Sequence, residues 1–220
     1  MRVAIVGAGS IGAVLGATLA ASGHEVVLIA RGAHLEAIQR EGLRLVDHVG
    51  SASGVYRLRA SADPADFGVQ DLVVIGLKAH AIAALLPQAA ALVGPATTVV
   101  PAINGLPWWY FHAEGSALDG TTLRSLDPAG SMFAALDPSH ILGCVVHIAA
   151  EVRAPGEVHH TGGRRLILGE PDRSLSARLA RVADALDVAG FATERSRDIR
   201  LDIWIKSLGN LSFNPVAALT

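Results

Sequence analysis

A single cysteine, Cys144, in 220 residues excludes an internal disulfide framework. That scarcity fits a reducing compartment, and Cys144, set in an apolar run, reads as a small core residue rather than a nucleophile. Aromatic residues make up 5% of the chain and charged residues 17%, with 18 basic against 20 acidic side chains and a formal net charge of −2. No basic run stands out, so nothing marks a nucleic-acid surface. No apolar stretch is long and unbroken enough to span a bilayer. No group of His, Cys, Asp and Glu has the spacing of a metal site, so no metal is expected. The opening residues carry no charged leader and run into Gly7, so they read as a strand rather than a secretory signal. These absences together describe a soluble, cytoplasmic protein without membrane or nucleic-acid partners.

What the chain does have is a large apolar content, 51%, enough for a sizeable core. It also has a strand, a glycine turn and a helix joined without a gap. Arg2-Val3-Ala4-Ile5-Val6 leads into Gly7-Ala8-Gly9-Ser10-Ile11-Gly12 and on into Ala13–Ala21. This is the context that the dinucleotide fingerprint requires. The first glycine permits a sharp turn, the second lets backbone approach a pyrophosphate, and the third lets helix and strand pack closely. The helix N-terminus then offers unpaired N–H groups to the phosphates.

A second buried strand, Glu25–Ala30, follows the Ser22-Gly23 helix stop. The residue after it discriminates between cofactors. Enzymes that use NAD usually place Asp or Glu about 20 residues past the glycines to bond the ribose 2′-OH. Here the residue is Arg31, whose guanidinium can hold a 2′-phosphate bidentately, so NADP(H) is expected. A third buried strand, Asp71–Leu77, delivers Lys78 at its C-terminal end, where open α/β sheets bind ligands. Lys78 is a second candidate for the 2′-phosphate or the adenine edge, with a snorkelling surface lysine as the equal alternative.

Further elements follow from periodicity and punctuation. Gly32–Arg40 reads as a short helix. Leu43–Val46 and Val55–Ala60 alternate like a solvent-facing hairpin. Ala79–Leu92 reads as a helix kinked or broken at Pro87. Thr97–Val100 is a strand followed by Asn104-Gly105, which locally reads as a turn although Asn104 also sits where a nicotinamide would lie. Trp108-Trp109-Tyr110-Phe111-His112 either lines a cleft or covers the core, and 113–137 reads as a long excursion. Ile141–Ala150 returns to the sheet, short antiparallel strands punctuated by Pro155-Gly156 and Gly162-Gly163 end at Gly169, and His159-His160 reads as a solvated strand edge. Ser174–Ala189 is an amphipathic helix capped by Ser174, and Phe191–Thr193 is an edge strand.

The last helix, Asp198–Phe213, shows an apolar face at Leu201, Ile205, Leu208 and Leu211 or Ser212. Lys206 and Asn210 are four apart and stack on one side. Asn214 follows four further on, although Asn214-Pro215 is also a good start for a new helix. A cation and amides in a row suit ketone reduction, which needs a proton donor and groups aimed at a nascent oxyanion.

These residues resemble the ketopantoate reductase family. The most specific match is Arg200–Pro215, with its Trp204, Lys206, Asn210 and Asn214. The glycine loop, Arg31, Lys78 and Asn104-Gly105 support it. The resemblance implies a Rossmann-type doubly wound, mostly parallel sheet over 1–195, followed by the start of an all-helical second domain at 196–220, most of which this chain lacks. It implies NADPH-dependent reduction of 2-dehydropantoate to pantoate, in pantothenate and coenzyme A synthesis. It makes Lys206 the general acid and gives Asn104 a place beside Lys206, substrate and cofactor. It makes Asn210 and Asn214 substrate contacts. Gly7, Ala8, Gly9, Ser10, Ile11, Gly12, Arg31 and Lys78 become cofactor contacts. Ile103 and Ala81 stand where the family usually has Gln, which opens the substrate to a related 2-keto acid. The alternatives are a cofactor-binding module with little catalysis and a β-hydroxyacid or glycerol-phosphate type of dehydrogenase. The Lys206–Asn210–Asn214 ladder argues against the last of these. Apolar surface around Trp204, Leu208 and Phe213 would favour a homodimer.

Overall fold

The computed structural model describes residues 1–113 and 115–219, and for 79–80 and 213–219 it describes the backbone alone. The strands are β1 (Arg2–Val6), β2 (Glu25–Ile29), β3 (Leu43–Asp47), β4 (Gly54–Tyr56), β5 (Arg59–Ser61), β6 (Leu72–Ile75), β7 (Thr98–Pro101), β8 (Gly143–Ala154), β9 (Glu157–Gly169) and β10 (Ala192–Arg195). The helices are α1 (Ser10–Ala21), α2 (Gly32–Glu41), α3 (Ala79–Ala89), α4 (Ser131–Ala135), α5 (Ala177–Val188) and α6 (Ile199–Leu219).

Five strands form a wholly parallel sheet in the order β5-β2-β1-β6-β7. The chain leaves β1 towards β2 on one side and later returns to β6 on the other. The carboxyl ends of β1 and β6 therefore flank a topological switch point, where such sheets bind ligands. β1 is short enough to show why it is central. Val3 and Ile5 face one core and Ala4 and Val6 the other, all buried, as the two-residue strand period requires.

A second sheet is built on the long antiparallel hairpin β8–β9. The far edge of β9 pairs in parallel with β3 at its start and with β10 at its end, and β4 pairs with β3. The expected return of 141–150 to the first sheet is thus reduced to one bridge, Val99 to Ile141. The expected hairpin of 43–60 is divided. Leu43 pairs with Tyr56, whereas Arg59–Ser61 crosses to the edge of the first sheet beside β2. Helix α1 lies between the sheets and is buried from Gly12 to Leu19, which is why it carries only small and aliphatic side chains and Thr18 there. Thr18 spends its hydroxyl on the Val14 carbonyl, 2.8 Å away.

Four local expectations are corrected. Gly162-Gly163 is no turn: it lies inside β9, where the register against β8 slips and Gly163 takes φ +67°. His160 is no solvated edge but fully buried, with Nδ1 2.9 Å from Asp47 Oδ1 and Nε2 donating to the Gly163 carbonyl at 2.6 Å. Ser176, not Ser174, caps α5, accepting from the Leu179 N–H at 3.0 Å. Helix α6 runs on through position 215, so Asn214-Pro215 is not a junction between helices. The packed side of α6 is also different from the one expected. Ile199 and Ile203 are buried, while Leu201, Ile205, Leu208 and Leu211 are exposed. The Trp108-Trp109 pair covers the core beneath α6 and does not line a cleft: both side chains are buried, and Trp109 abuts Gly143. Arg200 locks this arrangement by donating to the carbonyls of Tyr110, His112 and Pro171.

Candidate active site

The glycine turn leaves β1 over the switch point. Gly7 has φ +94°, and a Cβ there would lie 2.5 Å from Leu77 Cδ2. Its N–H and that of Ala8 both donate to the Ile29 carbonyl, at 3.0 and 3.1 Å. A Cβ on Gly12 would lie 2.1 Å from the Gly7 carbonyl oxygen. These two glycines are therefore required by the fold itself. Gly9 is different. Its φ is an ordinary −72°, and no atom lies within 4 Å of where its Cβ would stand. It faces open space at the N-terminus of α1, a helix with no capping side chain and no acidic residue in its first turn. That is the cradle a pyrophosphate needs, so the residues present fit a dinucleotide.

The space beyond Gly9 is a cavity of about 590 Å³. Its floor is the glycine loop with Ile29 and Ala30, and one wall is the apolar set Leu77, Ala81 and Leu85. Arg31, the N-cap residue of α2, is exposed at its rim. Ala81 contributes only a methyl group to this wall.

The sequence reading missed another part of the wall. It is the tip of the β8–β9 hairpin, from Val152 to Pro155, and it includes Arg153. His34 joins this tip to the floor. Its Nε2 donates to the Ala8 carbonyl at 2.8 Å, and its Nδ1 accepts from the Gly156 N–H at 3.0 Å. The only signal for this wall was the Pro155-Gly156 turn, which shows a hairpin but not where its tip lands.

A second cavity, of about 310 Å³, adjoins the first across Leu77. Ser10, Ile11, Gly76, Lys78, Ile103 and Asn104 border it. Lys78 is exposed there, one residue past the Leu77 at which the two cavities adjoin. Asn104 is more than a turn residue. Its Nδ2 donates to the Val146 carbonyl at 3.0 Å and its Oδ1 accepts from the Val146 N–H at 3.1 Å. The side chain thus acts as one more rung between the end of β7 and β8, and it keeps one N–H and one lone pair for another partner.

Lys206 enters here. Half-buried on α6, it lines a small gap with Ile103, Asn104, Cys144, Val145 and Ile203. Lys206 on the last helix and Asn104 after β7 therefore border one gap, and Asn104 also borders the cavity above Ser10 and Ile11. Burial, then the positive charge of Lys206, holds the neighbouring His147 below its ordinary value. Burial pushes the Cys144 thiol up to about 12, so it is inert as a nucleophile. Asn210 is half-buried one turn beyond Lys206. The side chain of Asn214 lies outside the described residues. Among the described residues there is no cluster of three or more His, Cys, Asp or Glu that could hold a metal, and no helix is long and apolar enough to cross a membrane.

A glycine cradle at the switch point of a parallel sheet, opening towards a lysine and an asparagine, defines a dinucleotide-fold oxidoreductase. Residues 3–173 match the family model described as ketopantoate reductase PanE/ApbA, and the chain belongs to that family. It is 45% identical, over its whole length, to a 2-dehydropantoate 2-reductase from Mesorhizobium japonicum, covering 67% of that protein. A solved candidate ketopantoate reductase from Ralstonia solanacearum is 44% identical, with a TM-score of 0.93 over 99% of this chain and 67% of that one. The 2-dehydropantoate 2-reductase of Geobacter metallireducens is 29% identical, with a TM-score of 0.82 over 100% of this chain and 65% of that one. The chain thus spans about two thirds of the length of these relatives.

Proposed function

We propose that this chain carries the cofactor site and the proton donor of an NADPH-dependent reductase of a 2-keto acid, with 2-dehydropantoate as the first substrate to test. The observation that supports this most is the meeting of Lys206 and Asn104 in one gap at the edge of the crevice above the glycine loop. The relatives named for 2-dehydropantoate support testing that substrate first.

A reduced nicotinamide, when bound, supplies the hydride. The residues of the chain do the rest. The N–H groups at the start of α1 and the open side of Gly9 take the pyrophosphate. Arg31 takes the 2′-phosphate. The Lys206 ammonium donates to the keto oxygen and gives up a proton as that oxygen gains charge. Asn104, fixed by its two bonds to Val146, holds its remaining N–H towards the same gap, and Asn210 offers an amide one turn along the helix. Ile103 in place of a polar side chain makes this part of the wall apolar, which suits the branched aliphatic end of a keto acid better than a second polar group.

The test is the rate of NADPH consumption with 2-dehydropantoate and a panel of 2-keto acids. Lys206→Ala should lower kcat by roughly 10²–10⁴-fold, the usual yield of a positioned proton donor. Its NADPH affinity should stay near that of the parent. A variant with unaltered kcat would remove Lys206 from the chemistry.

A further inference from the structure

We infer that Arg153, which borders the same cofactor cavity as Arg31, is a further cation for the adenosine 2′-phosphate of NADPH; this rests on the dinucleotide reading above. Lys78, the other expected cation, borders the space that adjoins this cavity at Leu77. Arg153 borders the same cavity as Arg31, and none of the residues lining that cavity is a carboxylate. A ribose 2′-hydroxyl is ordinarily met by an acid at the end of the second strand. Two arginines on a cavity whose lining holds no carboxylate suit a phosphate dianion instead, the acid nearest Arg153 being Glu151, which is not part of that lining.

The placement of Arg153 is built in, not accidental. The hairpin tip that carries it is tied through Gly156 to His34, and through His34 to the Ala8 carbonyl of the glycine loop. His34 is on α2, the helix that begins at Arg31, so one short element holds both arginines in relation to the cradle. The present partner of Arg153 is Glu151, 2.6 Å away. Both side chains of that pair are about half exposed, at 59% and 46%, so the pair is worth little and is readily exchanged. A phosphate monoester carries about −1.5 to −2 charge at neutral pH and three acceptor oxygens, and it outcompetes a single exposed carboxylate.

The experiment is a titration of the intact chain with NADPH, NADH and adenosine 2′,5′-bisphosphate, for the parent, Arg153→Met, Glu151→Gln and Arg31→Met. Arg153→Met should weaken NADPH and the bisphosphate by roughly tenfold, the scale of a charge-assisted hydrogen bond, and leave NADH within about twofold. Glu151→Gln should tighten NADPH about two- to threefold by freeing the guanidinium. All three side chains are exposed, so the melting temperature should be unchanged in each variant. Equal losses for NADPH and NADH would place Arg153 at the pyrophosphate and overturn the assignment, as would no loss for either. Should the parent bind NADH as tightly as NADPH, the NADPH reading itself fails. Should the parent prefer NADPH while Arg153→Met keeps that preference, only the inference about Arg153 fails.

Discussion

Gly9 and Gly12 occupy one short turn, yet they are glycines for different reasons, and substitution separates them. Gly12→Ala would push a methyl group to 2.1 Å from the Gly7 oxygen and 2.9 Å from Ile5 Cγ2. Overpacking of this kind costs about 1–3 kcal/mol or more, so the melting temperature should fall by several degrees. Gly9→Ala meets no protein atom within 4 Å and keeps an accessible φ. Its melting temperature should stay within about 2 °C of the parent, while NADPH binding weakens by at least roughly tenfold as the methyl group intrudes on the pyrophosphate. Normal binding by Gly9→Ala would show that no cofactor approaches this backbone. The loop was legible in the sequence because its chemistry is local: strand, turn and helix adjoin one another in the chain. His160 was not. Its burial is set by Asp47, which reaches it only when β3 pairs with β9, and no neighbour of His160 in the chain announces that pairing. The role of His34 escaped for the same reason, since its partners are Ala8 and Gly156.

Elements with a single buried pattern were read well, and those with a choice of faces were not. The three inner strands of the parallel sheet, β2, β1 and β6, are nearly continuous apolar runs and could hardly be anything else. Helix α3 passes through Pro87 without breaking, ends at Ala89 and tightens into a 3-10 turn over Ala90–Leu92. Proline removes one helical hydrogen bond there, which burial of Leu85, Leu86 and Ala89 offsets. Helix α6 offers two apolar stripes, and periodicity cannot say which one meets a neighbour. Packing settles it: Ile199 and Ile203 enter the core beside β8, and that sets Lys206 at the gap which Asn104 also borders. This orientation predicts a titration. His147 is held below its ordinary value of 6.5, first by burial and second by the Lys206 charge. In Lys206→Met that second contribution is gone, so the His147 midpoint should rise. The proton resonance of the His147 ring followed against pH reports it directly. An unchanged midpoint would put the amine away from β8.

At the scale of the whole molecule, the second sheet is held to the loop before β4 by a buried charge. The Asp47 side chain is fully buried, accepts from the N–H groups of Ala52 and Val49, lies 3.2 Å from Arg164 Nη1 and faces His160. Arg164 in turn donates to the Gly190 carbonyl at the end of α5, so one carboxylate connects β3, β9 and the turn before β10. Burial alone would raise the Asp47 pKa. The Ala52 and Val49 N–H groups, with the charges of His160 and Arg164, overcome that and hold it below its ordinary 3.8. The sign of the linkage follows: a depressed carboxylate stabilises the fold above its unfolded value and loses that contribution as pH falls through its folded value. Asp47→Asn should therefore cost about 2–4 kcal/mol near neutral pH, because it leaves a partly buried guanidinium without its counter-charge. That corresponds to a fall of roughly 5–15 °C in melting temperature for a chain of this size. The gap between parent and variant should then narrow steadily below about pH 4, where the parent's carboxylate takes up its own proton. Melting curves of both proteins from neutral pH to about pH 3 test this. A gap of the same size at every pH would mean that the shape of the Asp47 side chain, and not its charge, holds β3, β9 and the end of α5 together.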